Sequence, residues 1–333
     1  FPDNSVQNTA PKVGMVNRII NGDMRIDQRN GGASITASNT VTFTVDRFNS
    51  YGSAAAKYTV QQNAGSVTPP VGFTNYLGCT SSSAYSVGAS DFFAVSQNIE
   101  GVNTADLSWG TASAKTVTLS FQAYSSLTGT FGGVIYNALF NRSFPFTYTI
   151  SSANTWTSIS IPIAGDTSGT WAGYAVGLTL SFSLGAGASV SGTAGAWVGA
   201  GYRAATGATS VVGTSGATFY ITGVQLEKGS TATDFEYVDY GRQLIQCQRF
   251  FTNLYPSLDM PVVRVQSADL LRRGTVPFGV TMRAAPTVTI VQDSGSGTYS
   301  VMETTINAVR FSVTMGNAQN VSRVEQFTAD SEL

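Results

Sequence analysis

The chain reads as an all-β protein: an antiparallel jelly-roll β-sandwich, a short connecting helix and a second small β-domain. Three observations predict this. Apolar and polar residues alternate with period two in several separated stretches, the pattern of antiparallel strands buried on one face. Glycine is abundant, at 35 residues, while charged residues make up only 11% against a typical ~25%, which suits many strands joined by uncharged turns. Only one stretch, beginning at Asp239, changes to a helical period.

Residues 1–16 are polar and contain Pro2 and Pro11; they read as a linker from an N-terminal shaft. The sandwich is expected over residues 17–238. Val41-Phe43-Val45 alternates with Thr42 and Thr44, and Tyr58-Val60 follows. Val117-Leu119-Phe121-Ala123 alternates with Thr118, Ser120 and Gln122; Ile159-Ile161-Ile163 and Leu178-Leu180-Phe182-Leu184 repeat the pattern. Phe219–Leu226 is apolar and β-branched, as a buried closing strand should be, and Lys228-Gly229-Ser230 breaks it. Trp156, just before the Ile159–Ile163 strand, is expected in the core.

Residues 239–255 form the connecting helix. Tyr240, Leu244, Cys247 and Phe251 fall at i, i+4, i+7 and i+11, with Arg242, Gln246 and Arg249 opposite and Asp239 as N-cap. The stripe has two readings: it packs on its own sandwich, or it meets the same helix of two sister chains on a threefold axis. Residues 256–333 are β again, with strand candidates at Val262–Val265, Val276–Met282, Val288–Ile290, Tyr299–Met302 and Val309–Met315. A core this small is marginal alone, so it should lean on the sandwich or on copies of itself.

At 333 residues the chain exceeds what one core usually fills, and 42% apolar residues suffice for two. The net charge is −1 with Lys and Arg scattered, so there is no footprint for nucleic acid. No apolar run approaches 18 residues, which argues against membrane insertion by a helix. Cys79 and Cys247 are the only cysteines and read as buried free thiols.

Three motifs, in order, carry a resemblance. They are "NRIINGDMRIDQR" at Asn17–Arg29, "GDTSGTW" at Gly165–Trp171 with "GAW" at Gly195–Trp197, and "YITGVQLEKGSTATDFEYVDYGRQLIQCQRFF" at Tyr220–Phe251. Together they resemble a β-sandwich module common in tail-fibre and other structural proteins of tailed bacteriophages. The resemblance implies a virion location with assembly in the host cytoplasm, a homotrimer, and other virion proteins as partners through an N-terminal part. It also implies likeness to the jelly rolls of carbohydrate-binding modules. "INGDM" resembles the "NGDFE" opening of some of those, without the Glu that usually follows.

No histidine is present, which removes Ser-His-Asp and Cys-His nucleophile systems and His-containing zinc sites. No Gly-Lys-Ser/Thr phosphate loop occurs. Of the carboxylates, Asp23 and Asp27 would lie about 13 Å apart on a strand at ~3.3 Å per residue, too far for a glycosidase pair. Asp46-Arg47 and Asp234/Glu236 read as structural, and no catalytic residue is assigned. No cofactor is expected, but a structural calcium is left open, with Asp23 or Glu100 as its candidate ligands. The Gly-rich loop Gly185–Ala217 is longer than ordinary connections and supplies Trp197, Tyr202 and Arg203, which with Trp171 are the glycan-binding candidates: aromatic faces stack on sugar rings and Arg donates to hydroxyls. Their alternative is a framework role at the sandwich edge.

The expected function is therefore a non-enzymatic fibre tip binding a bacterial surface polysaccharide. The rivals are a purely architectural capsid or tail decoration, a polysaccharide-degrading tail spike, and a carbohydrate-binding module of a secreted enzyme.

Overall fold

The computed structural model describes residues 15–255, 258–259, 270–294, 297–315 and 323–333. The linker expected before residue 15 and the strand candidate Val262–Val265 lie outside the described residues. The sandwich strands, in chain order, are β1 (Ile35–Thr36), β2 (Thr42–Phe43), β3 (Phe48–Gly52), β4 (Tyr58–Gln62), β5 (Leu77–Ser81), β6 (Phe92–Glu100), β7 (Val117–Ser125), β8 (Gly129–Asn137), β9 (Ser143–Ile150), β10 (Thr157–Ile163), β11 (Val176–Ala186), β12 (Ser191–Gly192), β13 (Ala204–Ala205) and β14 (Thr218–Lys228). Twelve of them build two six-stranded antiparallel sheets, β1-β4-β5-β14-β7-β10 and β2-β3-β6-β11-β8-β9, closed as a jelly roll, and β12 and β13 form a separate parallel pair.

Alternation decides which side chains meet between the sheets. Val117, Leu119, Phe121 and Ala123 of β7 face Leu178, Leu180, Phe182 and Leu184 of β11 in one continuous core. Trp156 is not in that core. It lies half-buried on the outer face of the first sheet, with Tyr76, Tyr124 and Tyr220. Its indole packs edge-on to Tyr76 at 5.5 Å, and Tyr124 stacks on Tyr220 at 5.2 Å. With Ile159, Ile161 and Ile163 facing the core, position 156 has the outward parity of the strand it precedes.

The three recurring motifs fold into buried polar frames. Asn17 accepts from the amides of Ile19 (2.9 Å) and Leu226 (3.0 Å), and its amide donates to the Val224 carbonyl, tying the segment before β1 to β14. Gly22 lies against that strand so closely that a Cβ would sit 2.1 Å from the Val224 oxygen. Glu227 accepts from the Thr233 amide (2.7 Å), the Thr233 hydroxyl (2.8 Å) and Gln225 (3.0 Å), folding the end of β14 back on itself. Asp166 accepts from two donors of Arg142, Nε and Nη2. These motifs build framework.

Helix α1 (Tyr240–Gln248) begins where the N-cap requires, with Asp239 accepting from the Arg242 amide. It ends before Phe251, which opens strand β15 (Phe251–Leu254) instead of completing the helical stripe. The second domain then adds β16 (Leu258–Asp259), β17 (Leu270–Pro277), β18 (Thr287–Ser294), β19 (Gly297–Thr304), β20 (Ala308–Met315) and β21 (Arg323–Asp330). Part of the segment expected as connecting helix is thus strand: β15 pairs with β21. The strand expected over Val276–Met282 ends at Pro277. Phe278 and Met282 still join the core, with Val309, Phe311, Val324 and Phe327.

This small domain leans on the sandwich through ion pairs. Arg47, 1% exposed, pairs with Glu332, 4% exposed, and its guanidinium lies 3.5 Å from the Phe250 ring centroid. Arg29 reaches Asp330 (2.8 Å) and Glu332 (3.3 Å), Arg249 holds Glu100 (3.0 Å), and Asn98 donates to the Leu333 carbonyl (2.9 Å). Burial lowers the Arg47 pKa to about 9, because the charged form loses water. Among the described residues no helix is long and apolar enough to cross a membrane.

Candidate functional site

Arg203 stands at the centre of a cleft on the outer face of the second sheet. The outward positions of adjacent strands form its floor: Asn49 and Tyr51 of β3, Phe92, Ser96 and Asn98 of β6, Ser181 of β11 and Tyr136 of β8. Register sets these neighbours, since Ser96 pairs with both Asn49 and Ser181, and Tyr51 lies opposite Ala94. The cleft holds about 180 Å³. That is below the ~300–1,000 Å³ that engulfs a drug-sized ligand, so it suits one unit of a chain passing across it.

The Arg203 side chain is suspended among ring faces. Its guanidinium carbon lies 4.0 Å from the Phe140 centroid, 4.7 Å from Phe92, 5.6 Å from Tyr136 and 5.9 Å from Tyr51. One donor reaches the Tyr136 hydroxyl at 3.3 Å. The backbone is fixed by the Arg203 amide donating to Val190 (2.7 Å) and by the parallel pairing of β12 with β13. Phe140 takes a left-handed φ of 52° at the β8–β9 turn, a costly conformation for a bulky residue. Asn137 enforces it, accepting from the Asn141 and Arg142 amides and donating to Asn141 and the Thr170 carbonyl. Burial raises the Tyr136 pKa, so this hydroxyl stays protonated and able to donate. The floor is polar and linked: Ser96 donates to Ser181 (2.9 Å), and Thr179 donates to the Asn98 side-chain amide oxygen (2.7 Å).

The other glycan candidates lie elsewhere. Trp171 and Trp197 meet Trp109 in a three-indole cluster at the sandwich end, with centroids 4.8 to 5.3 Å apart and edge-to-face angles. Trp197 also packs on Phe144 and donates to the Ala164 carbonyl at 2.7 Å. The rings pack on one another; Trp171 and Trp197 are half-buried, and Trp109 and Trp171 line a pocket of about 190 Å³ at that end. Tyr202 lies over Gly192, where a Cβ would come within 2.3 Å of its ring. Of the four, Arg203 alone faces the cleft. Tyr51, Phe92, Tyr136 and Phe140 escaped the sequence reading; the doubled aromatic Phe92-Phe93 was the available signal, since one ring of such a pair must point outward.

Neither candidate calcium ligand is free for a cation. Asp23 contacts the Arg25 guanidinium and accepts from Gln243 (3.1 Å), while Glu100 is held by Arg249. Among the described residues no group of three or more Asp, Glu or Cys is placed to hold a metal. Asp27 closes a turn by accepting from the Asn30 and Gly32 amides. Two of the four threefold-axis candidates are also committed inside the chain: Cys247 is 1% and Phe251 5% exposed, whereas Tyr240 is 54% exposed and Leu244 half-buried. Both cysteines are free and buried, and burial pushes both thiols up.

A second groove of about 630 Å³ lies on the opposite face, over β7 and β10. Its wall is the aromatic trio Phe73, Phe235 and Tyr237, and its floor includes Ser120, Gln122 and Ser158. Phe73 reaches it because Gly223 (φ 60°), at the β14 bulge, leaves room for the ring.

No family model matches the chain, and no curated protein matches it. Solved structures do. The enzymatically active domain of bacteriophage CBA120 tailspike protein 4 aligns at 12% identity and a TM-score of 0.32, covering 64% of this chain and 22% of the tailspike. This chain thus matches about a fifth of that protein's length. A candidate sugar-binding protein from Bacteroides thetaiotaomicron aligns at 12% identity and 0.35, covering 64% and 100%. The family 11 carbohydrate-binding module of the cellulase Lic26A-Cel5E from Clostridium thermocellum aligns at 12% and 0.28, covering 61% and 99%.

Proposed function

We propose that this protein binds a bacterial surface polysaccharide through the Arg203 cleft, as the distal part of a bacteriophage tail fibre or similar appendage. The observation that carries the reading is the cleft itself: an arginine framed by four rings above a floor of amides and hydroxyls. Ring faces take the apolar faces of sugars, and amides, hydroxyls and guanidinium take their hydroxyls. Such lining supplies binding and orientation, so the protein acts without chemistry. The ordered motifs at 17–29, 165–171 and 220–251 support the virion setting. A trimer on the helix would use Tyr240, Leu244 and the 55% exposed Ile245, since Cys247 and Phe251 are enclosed.

The test is binding of fluorescently labelled protein to a panel of bacteria and to polysaccharide extracted from them, with Tyr51→Ala alongside. Binding to particular strains, carried by the extracted polysaccharide and lost in a variant that melts like the parent, is the expected result. Binding that survives removal of surface polysaccharide, or Tyr51→Ala binding as well as the parent, would overturn the assignment.

A further inference from the structure

The geometry points to an acidic saccharide as the ligand of the Arg203 cleft, with a sugar carboxylate seated on the guanidinium. This rests on the glycan-binding reading above and specifies its ligand class. Arg18, Arg25, Arg29, Arg47, Arg142 and Arg249 each face a carboxylate of this chain. Arg203 faces rings. Its hydrogen bond to Tyr136 is long at 3.3 Å, and a guanidinium carries five donors in a planar fork. Ring faces hold the cation in place through their quadrupoles, but they accept none of the in-plane N–H groups. Arg203 is therefore oriented, with its rotamer already fixed, and most of its donors are free for a ligand.

A carboxylate matches that fork in bidentate geometry, with two parallel charge-assisted hydrogen bonds where a neutral hydroxyl offers one. Tyr51 and Phe92, beside the guanidinium in the cleft wall, would take the face of the ring that bears the carboxylate. A hexuronic-type unit satisfies both demands within about 180 Å³. A sugar phosphate offers related oxyanion chemistry, and the experiment separates the two.

Bacterial surface polysaccharides are immobilised in three forms: native, carboxyl-reduced so that uronates become neutral hexoses, and dephosphorylated with hydrofluoric acid. The parent protein and Arg203→Gln are titrated on each, with melting curves confirming that the variant folds. The expected result is binding of the native form, at least tenfold weaker binding after carboxyl reduction, and no change after dephosphorylation. Arg203→Gln should bind the native form at least tenfold more weakly and lose discrimination between native and carboxyl-reduced material. Added salt should weaken native binding by the parent. Equal parent binding to native and carboxyl-reduced polysaccharide would overturn the carboxylate while leaving the glycan reading standing. Loss only on dephosphorylation would also overturn it, in favour of a phosphate. Binding to no form would overturn the glycan reading itself.

Discussion

Trp197→Ala separates framework from site. The Trp197 indole meets Trp109 at 5.1 Å, Trp171 at 5.3 Å and Phe144 at 5.3 Å, and donates one hydrogen bond of 2.7 Å. Edge-to-face pairs contribute about 0.5–1.5 kcal/mol each beyond area burial, and a net hydrogen bond about 1 kcal/mol. A fully buried Trp→Ala costs about 3–5 kcal/mol; since Trp197 is half-buried, the lower end applies, about 3 kcal/mol. For a domain of this size that is a fall in Tm of roughly 6–12 °C. Thermal and urea unfolding, read by tryptophan fluorescence and circular dichroism, measure it. Below the lowered transition the variant should retain its glycan binding. A Trp197→Ala protein as stable as the parent but unable to bind would refute the reasoning and return the site to the indole cluster.

Other consequences are as direct. Burial raises Asp46 from 3.8 to about 6, against the two hydrogen bonds from Gln28. The folded chain therefore holds this proton longer than the unfolded one, and the contribution of protonated Asp46 is present below pH ~3.8 and lost as pH rises through ~6, worth about 3 kcal/mol. The stability difference between parent and Asp46→Asn, followed by urea unfolding from pH 3.5 to 7, should move by that amount in that direction; a flat difference would contradict it. Glu332→Gln leaves Arg47 buried and uncompensated, and should cost about 3–5 kcal/mol with little sensitivity to salt; a loss under 1 kcal/mol would show that the C-terminal tail is not a clamp. If three copies meet on the helix, light scattering gives the mass of three chains, and Ile245→Asp shifts it to one; a monomeric parent at micromolar concentration excludes the trimer.

The strands that were easiest to see in the sequence are those with a plainly polar outer face, 117–123, 159–163 and 178–184, and the apolar closing run 219–226; they lie within β7, β10, β11 and β14. Phe92–Glu100 was harder, because the cleft puts Phe92 and Ala94 on its outward side and blurs the alternation. The helix start was legible in Asp239, whose side chain serves only local amides. Its end was not, because Phe250 and Phe251 leave the helix to cover Arg47 and Arg29, partners more than 200 residues away. For the same reason Arg203 was visible as a candidate while its surroundings were not. Sequence shows which aromatics exist but not whether an indole packs edge-on against another indole, as Trp171 and Trp197 do, or frames a cation, as Tyr51 and Phe140 do.

The proposed ligand site is on the second sheet, at Arg203. Calorimetric titration of one polysaccharide, taken from a strain the protein binds, into the parent, Tyr51→Ala and Phe235→Ala tests it most directly. Tyr51→Ala should weaken binding at least tenfold, and Phe235→Ala, in the groove on the opposite face, should bind like the parent. Loss of binding in Phe235→Ala with Tyr51→Ala unaffected would contradict it.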